Sequence, residues 1–343
     1  MILRYCLAGL LGLVLLWPGA HAARLDNLFE AEVAVAGRDE AARDSAMRQA
    51  LRQVLVRITG ASAGVQQAAG ERLLVQPDRF VEQYHVREVP DADDAALRLW
   101  VRFDGVSLAR EVRKAGLRYW GPDRPDTLVW LAVDNSGQRH LMAESADSEA
   151  AEALREAARE YGLPVTLPLL DLEDQRAVDF TDIWGGFRGA IETASQRYRP
   201  QVILIGKVGR AGASGWQGGW TLLAGGSTQT WNSYAATLDK AVAAGVADAA
   251  EWLAAKYAVA TTGQSIRALT VDGIRGIDDY GRVYNYLSSL TPVDNVQVVR
   301  VADQQIEFEL RLNAQETNLV QLITLGRVLR TDDPLSWRFR VNP

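Results

Sequence analysis

The densest group of chemistry-bearing side chains is acidic. Asp171, Glu173, Asp174, Asp179 and Asp182 follow a predicted strand at Val165 to Leu170. Ligands of α/β sheets gather beyond the carboxyl ends of strands. Carboxylates placed there hold Mg²⁺ or Ca²⁺ through oxygen. They also suit general acid–base work, with Asp171, Glu173 and Asp174 the first candidates for acid, base or ligand. Their spacing matches no calcium-loop pattern, and the same residues serve as helix N-caps, the commoner use. No metal or other cofactor is assigned. The run leads into Trp184-Gly185-Gly186-Phe187. Aromatics beside glycines anchor partners or close the core under a long loop. Trp216 and Trp220, four apart, share one face of a strand. That face is either core or contact surface. Candidate binding residues are therefore Asp171, Glu173, Asp174, Trp184, Phe187, Trp216 and Trp220.

Other chemistry is scarce. The 343 residues include three histidines and one cysteine. A serine triad needs an imidazole. His85 and His140 sit in predicted strands or strand ends without a serine motif nearby. The stretch Gly209 to Gly219 lacks a Gly-x-Ser-x-Gly elbow. Zinc sites need Cys and His clusters, which the chain lacks. Gly209, Gly212 and Gly215 precede a strand, whereas a dinucleotide loop needs a helix N-terminus; they read as a hairpin loop. The net charge is −6 and the basic residues are not massed, which argues against nucleic acid as partner.

Residues 1–22 read as a cleaved signal peptide. Arg4 gives a positive start, Tyr5 to Trp17 an apolar run, and Ala20-His21-Ala22 small residues at −3 and −1. Cleavage is expected between Ala22 and Ala23. The run is shorter than the ~20 apolar residues of a membrane anchor. Cys6 lies too early for lipidation and leaves with the signal. The expected product is periplasmic, without a transmembrane segment.

Three modules position the candidate residues. Residues 23–118 form an α+β unit. It has a strand at Leu28 to Val35, a helix capped by Asp39 and stopped by Gly60, strands at Phe80 to Val89 and Leu97 to Phe103, and a short helix at Ser107 to Ala115. Gly121, Pro122 and Pro125 mark a linker at Tyr119 to Asp126. Residues 127–259 form a mixed-sheet α/β sandwich. Strands Leu128 to Val133, Val165 to Leu170 and Val202 to Val208 alternate with helices, then comes a hairpin about Gly225-Gly226 and a long helix. Its first strands are expected to be parallel. After a connector at Ala258 to Ser265, residues 266–343 read βαββαβ, the ferredoxin-like pattern, with a helix capped near Asp278.

Several stretches together resemble a known envelope family. They are Phe29-Glu30-Ala31-Glu32-Val33 with the helix Arg43 to Gly60, Thr127 to Val133, Leu167-Pro168-Leu169-Leu170-Asp171-Leu172-Glu173-Asp174, Trp184-Gly185-Gly186-Phe187 and Ile205-Gly206-Lys207-Val208. The family is the proteobacterial one catalogued as domain of unknown function 2066. The resemblance implies a signal peptide and no assigned activity. The middle module is also similar in element order to periplasmic domains of the TolB amino-terminal type, which implies binding or assembly rather than catalysis. The expectation is a non-enzymatic interaction protein of the cell envelope, with envelope proteins as partners. An envelope hydrolase or transferase using the acidic loop with a divalent cation, and a small-ligand or glycan binder, are the alternatives.

Overall fold

The computed structural model describes residues 27–90, 95–212, 214–259, 264–313, 319–326 and 328–342. The signal segment, with Ala22 and Ala23, and part of the Ala258 to Ser265 connector lie outside them. The described chain is of mixed α+β and α/β class and contains three sheets.

The first sheet is antiparallel with order β1-β3-β2: β1 (Glu30–Val35), β2 (Val81–Pro90) and β3 (Ala95–Phe103). Helix α1 (Glu40–Thr59) covers its apolar face. The Asp39 carboxylate accepts the Ala42 N–H at its start, and Gly60, at φ 70°, closes its end. That φ is costly for residues other than glycine. Short helices α2 (Ser62–Gln66) and α3 (Ala68–Leu73) follow α1, and α4 (Gly105–Lys114) is capped by Asp104. Leu51, Leu55, Leu99, Val101 and Phe103 are among the residues that fill this core.

The central sheet contains β4 (Thr127–Asn135), β5 (Gln138–Leu141), β6 (Val165–Thr166), β7 (Val202–Ala211), β8 (Gly215–Ala224) and β9 (Ser227–Ala235). Its order is β5-β4-β7-β8-β9, with β6 beside β4. β4 is parallel to β6 and β7, and β7, β8 and β9 are antiparallel. The hairpin β4–β5 turns at Ser136 and Gly137, both at positive φ, the backbone of a tight two-residue turn. His140, read from the sequence as in a strand or at a strand end, lies in β5. The expected strand Val165 to Leu170 is cut to two residues. Pro168 has no N–H for a ladder, and Leu170 turns left-handed at φ 50°. Helices α5 (Glu149–Tyr161) and α9 (Leu238–Tyr257) pack on one face; α6 (Leu172–Ala177), α7 (Phe180–Gly185) and α8 (Arg188–Ser195) lie on the other side. Leu128 through Val133 are therefore buried on both faces.

The third sheet has order β11-β12-β10-β14-β13: β10 (Ser265–Asp272), β11 (Val293–Ala302), β12 (Gln305–Leu312), β13 (Leu329–Arg330) and β14 (Arg338–Val341). Helices α10 (Ile277–Ser289) and α11 (Leu319–Leu325) complete it. The order of β11, β12, β10 and β14 is that of a ferredoxin-like sheet. Here β14 runs parallel to β10, because the chain first makes β13 and then reverses. Helix α10 starts after Gly276, with Asp278 inside its first turn. One continuous core joins the α5–α9 side of the central sheet to the third sheet.

The segment predicted as a linker is a buried junction. Tyr119, Trp120 and Arg124 are all buried, and Arg124 is wholly inaccessible. Its five N–H groups donate to five main-chain carbonyls: Nε to Gly121, Nη1 to Tyr161 and Gly162, and Nη2 to Arg57 and Trp120. Three of these carbonyls end α1 and α5, where helix dipoles concentrate negative charge. Its guanidinium also lies 4.0 Å from the Trp120 ring centroid. Burial lowers its pKa to about 9, so it stays charged at neutral pH.

Candidate functional site

The acidic loop folds into an anchor. Asp171 caps α6, accepting the N–H groups of Glu173 and Asp174, both at 3.1 Å. Its two oxygens also accept from Arg197 at 2.7 and 2.8 Å. That guanidinium and the capping N–H groups hold the Asp171 carboxyl far below the usual range. Asp174 is fully buried. It accepts from Arg197 at 3.0 Å, from the Leu170 N–H at 2.9 Å and from the Tyr198 hydroxyl. Burial, and then this bond to Asp174, push the Tyr198 pKa up to about 12. Glu173 points outward, 3.6 Å from Arg197. Asp179 and Asp182 form a capping box on α7. Four of the five carboxylates thus serve as caps or accept from Arg197 and Tyr198. Among the described residues no group of three or more metal-ligating acids, histidines or cysteines occurs.

This arrangement sets two expected outcomes. Replacing Asp174 with alanine leaves the Tyr198 hydroxyl, the Leu170 N–H and part of Arg197 without their acceptor. The loss is about 3 kcal/mol in urea unfolding, the scale for breaking a buried charged bond. The folded Asp171 pKa is depressed, so its contribution is complete above the unfolded value of ~3.9. It is lost as pH falls through the lower folded value. Arg197→Ala removes the largest cause of the depression, leaving the capping N–H groups, and moves the acid unfolding midpoint to higher pH, as read by circular dichroism.

The aromatic candidates divide between the two faces of the central sheet. Trp184 is half-buried and stacks on Phe180 with centroids 5.2 Å apart. Its carbonyl accepts from Lys207 Nζ at 3.0 Å. Phe187 is 58% exposed. Both belong to the α7–α8 side. Trp216 and Trp220 point the other way and are buried under α9, in the main core. Arg210 lies over Trp216, 4.5 Å from its centroid. They are structural, and the contact-surface alternative for this pair is set aside. The acidic anchor and the Trp184–Phe187 corner also stay apart. Arg188 opens α8 and Arg197 lies just past its end; the helix's eight residues span ~12 Å.

Sequence reasoning missed an open surface. Helices α7 and α8 pack on the outer face of β4 and part of β7, reaching β8 only at Leu223 and leaving most of β8 and β9 on this side outside their cluster. Between them lies a hollow of about 460 Å³ lined by Ile183, Ile205, Lys207, Thr221, Thr230 and Asn232, among others. Arg188 reaches across its rim and donates to the Thr228 hydroxyl at 3.1 Å. The signal was present in the alternation of β8 and β9. Gln217, Gly219 and Thr221 oppose Tyr234, Asn232 and Thr230 in register, a polar stripe behind the buried tryptophans. His85 stacks on Trp100 at 4.9 Å in the first sheet, whereas His140 lies on β5 in the central one.

A family model described as a domain of unknown function (DUF8605) matches residues 22–121. The match takes in the first sheet, its helices and the start of the junction. No curated protein and no solved structure matches the chain. An uncharacterised domain agrees with the family resemblance, but the matching model is not that of the domain of unknown function 2066 family, and nothing matched supports the TolB-type likeness. The stretches from Thr127 onward that entered the resemblance lie outside the matched residues.

Proposed function

We propose that the chain is a secreted, periplasmic protein that binds partners in cell-envelope assembly or maintenance without catalysing a reaction. One observation carries the reading: the acidic loop, the best catalytic candidate, is spent on structure. Asp171 and Asp174 are bonded to Arg197, Asp174 also to Tyr198, and Asp179 caps a helix. A catalytic carboxylate needs room for substrate and a matched pKa; Asp171 is held far from that range. The similarity of the middle module's element order to TolB-type periplasmic domains agrees with a binding role. So does the Phe187 side chain, presented to solvent beside an open sheet face. Among the described residues no helix is long and apolar enough to cross a membrane.

Two experiments test the reading. The intact mass of protein recovered from periplasm is expected to correspond to a chain beginning at Ala23. A full-length mass, or recovery only from cytoplasm, overturns the address. Crosslinking in cells is expected to trap a stable envelope partner. Failure to trap one, in cells where a known periplasmic complex is captured, overturns the binding role.

A further inference from the structure

Sheet edges expose unpaired N–H and C=O groups, and natural proteins guard them with charge, proline, bulges or brevity. Most edges here are guarded. β2 carries Glu82, Arg87, Glu88 and Pro90, with a register shift between Val81 and Gln83. β11 carries Asp294 and Arg300, with two register shifts. β1 carries Glu30 and Glu32; β5 has four residues and β13 two. β9 is different. Its nine residues, Ser-Thr-Gln-Thr-Trp-Asn-Ser-Tyr-Ala, include no charge and no proline. Its register with β8 runs without a shift from Ser227 to Ala235. Ser227, Thr228, Gln229, Thr230, Asn232 and Tyr234 are exposed.

We propose that β9 is the docking edge for an extended, acidic segment of a partner protein, which adds to the central sheet as a further strand. The inference rests on the binding role proposed above and names its site. Added strands gain affinity from main-chain bonds and specificity from alternate side chains. The charge follows from Arg188. Its guanidinium sits over the Thr228 hydroxyl at 3.1 Å, and among the described residues no carboxylate pairs with it. An added strand lies ~4.8 Å beyond β9, so an acidic side chain opposite Thr228 reaches Arg188. The opposite face of the same segment meets Trp231, half-buried at the midpoint of β9. Tyr234, 66% exposed, flanks the acidic face. Tryptophan, tyrosine and arginine are the residue types that concentrate binding energy. The segment is thus acidic or polar on one side and apolar on the other.

The test uses the whole secreted chain and a display library of random nonapeptides. Enriched peptides are expected to alternate, with Asp or Glu on one face, and to slow hydrogen exchange of β9 amides at least tenfold. Arg188→Glu is expected to weaken them at least tenfold and to turn a fresh selection toward Lys and Arg. Thr230→Pro is expected to abolish binding. Thr230→Lys, which leaves the main chain able to fold, is expected to weaken it. Four results of the selection overturn the proposal: no enrichment, enriched peptides without an acidic position, protection confined to another segment, or β9 protected without peptide by a second copy of the chain. A partner trapped in cells with its crosslinks away from β9 overturns the docking edge and leaves the binding role intact. No trapped partner overturns both.

Discussion

Replacing Arg124 with methionine is expected to lower the unfolding free energy by about 5 kcal/mol, measured in urea. Methionine fills much of the volume but donates nothing. The five carbonyls now bonded to the guanidinium come from α1, from the end of α5 and from the junction itself. Each buried carbonyl left unpaired costs ~1–3 kcal/mol, and replacing the side chain does not replace its partners. A buried ion pair swapped for apolar groups on both sides is often neutral. That escape is closed here, because the partners are backbone. Arg124→Lys is expected to lose about half as much, since an ammonium has three donors and no planar fork. Arg176→Met, on the exposed end of α6, serves as control and is expected to stay within ~0.5 kcal/mol. Equal losses for Arg124→Met and the control would show that the junction does not depend on this side chain.

Trp220→Ala is expected to cost about 4 kcal/mol, the usual scale for truncating a large core aromatic. The indole occupies a socket made by glycines on three elements. A Cβ added at Gly206, Gly218 or Gly245 would approach it to 2.4, 2.5 and 1.9 Å. Its Nε1–H donates to the Ser233 hydroxyl at 2.9 Å, which donates to the Ala241 carbonyl at 2.8 Å. Gly245 decides between two opposing effects. In a helix, alanine is favoured over glycine by ~1 kcal/mol. The clash with Trp220 costs ~3 kcal/mol, the upper end for overpacking. Gly245→Ala is therefore expected to destabilise. Trp220→Phe should recover part of that loss in the double variant, because the two side chains share one space. A stabilised Gly245→Ala protein would show that α9 and β8 are not in contact at this point.

Helix ends were legible in the sequence because their causes are local. Asp39 and Ser148 sit within three residues of the N–H groups they cap, and Gly60 and Gly162 supply the left-handed turn at the end of the same helix. The strand at Val165 was misread for a local reason as well: apolar residues continue to Leu170, but Pro168 and the left-handed Leu170 stop the ladder. The candidate site was harder to read. The spacing of Trp216 and Trp220 put them on one face without saying which face α9 would cover. The acidic loop looked catalytic because its cation, Arg197, lies 26 residues from Asp171.

The sequence by itself therefore determined most of the order of elements, several of their caps, and the scarcity of imidazole and thiol. These rest on composition and on contacts a few residues long. Tertiary structure alone decided that the proline-rich linker is a buried hub, that Trp220 is core, that Asp174 is an anchor, and that β9 is an unguarded edge. Each of those depends on which distant groups meet. A guanidinium in a linker and five carbonyls spread from residue 57 to residue 162 carry no shared pattern until the chain has folded and excluded the water that would otherwise satisfy them.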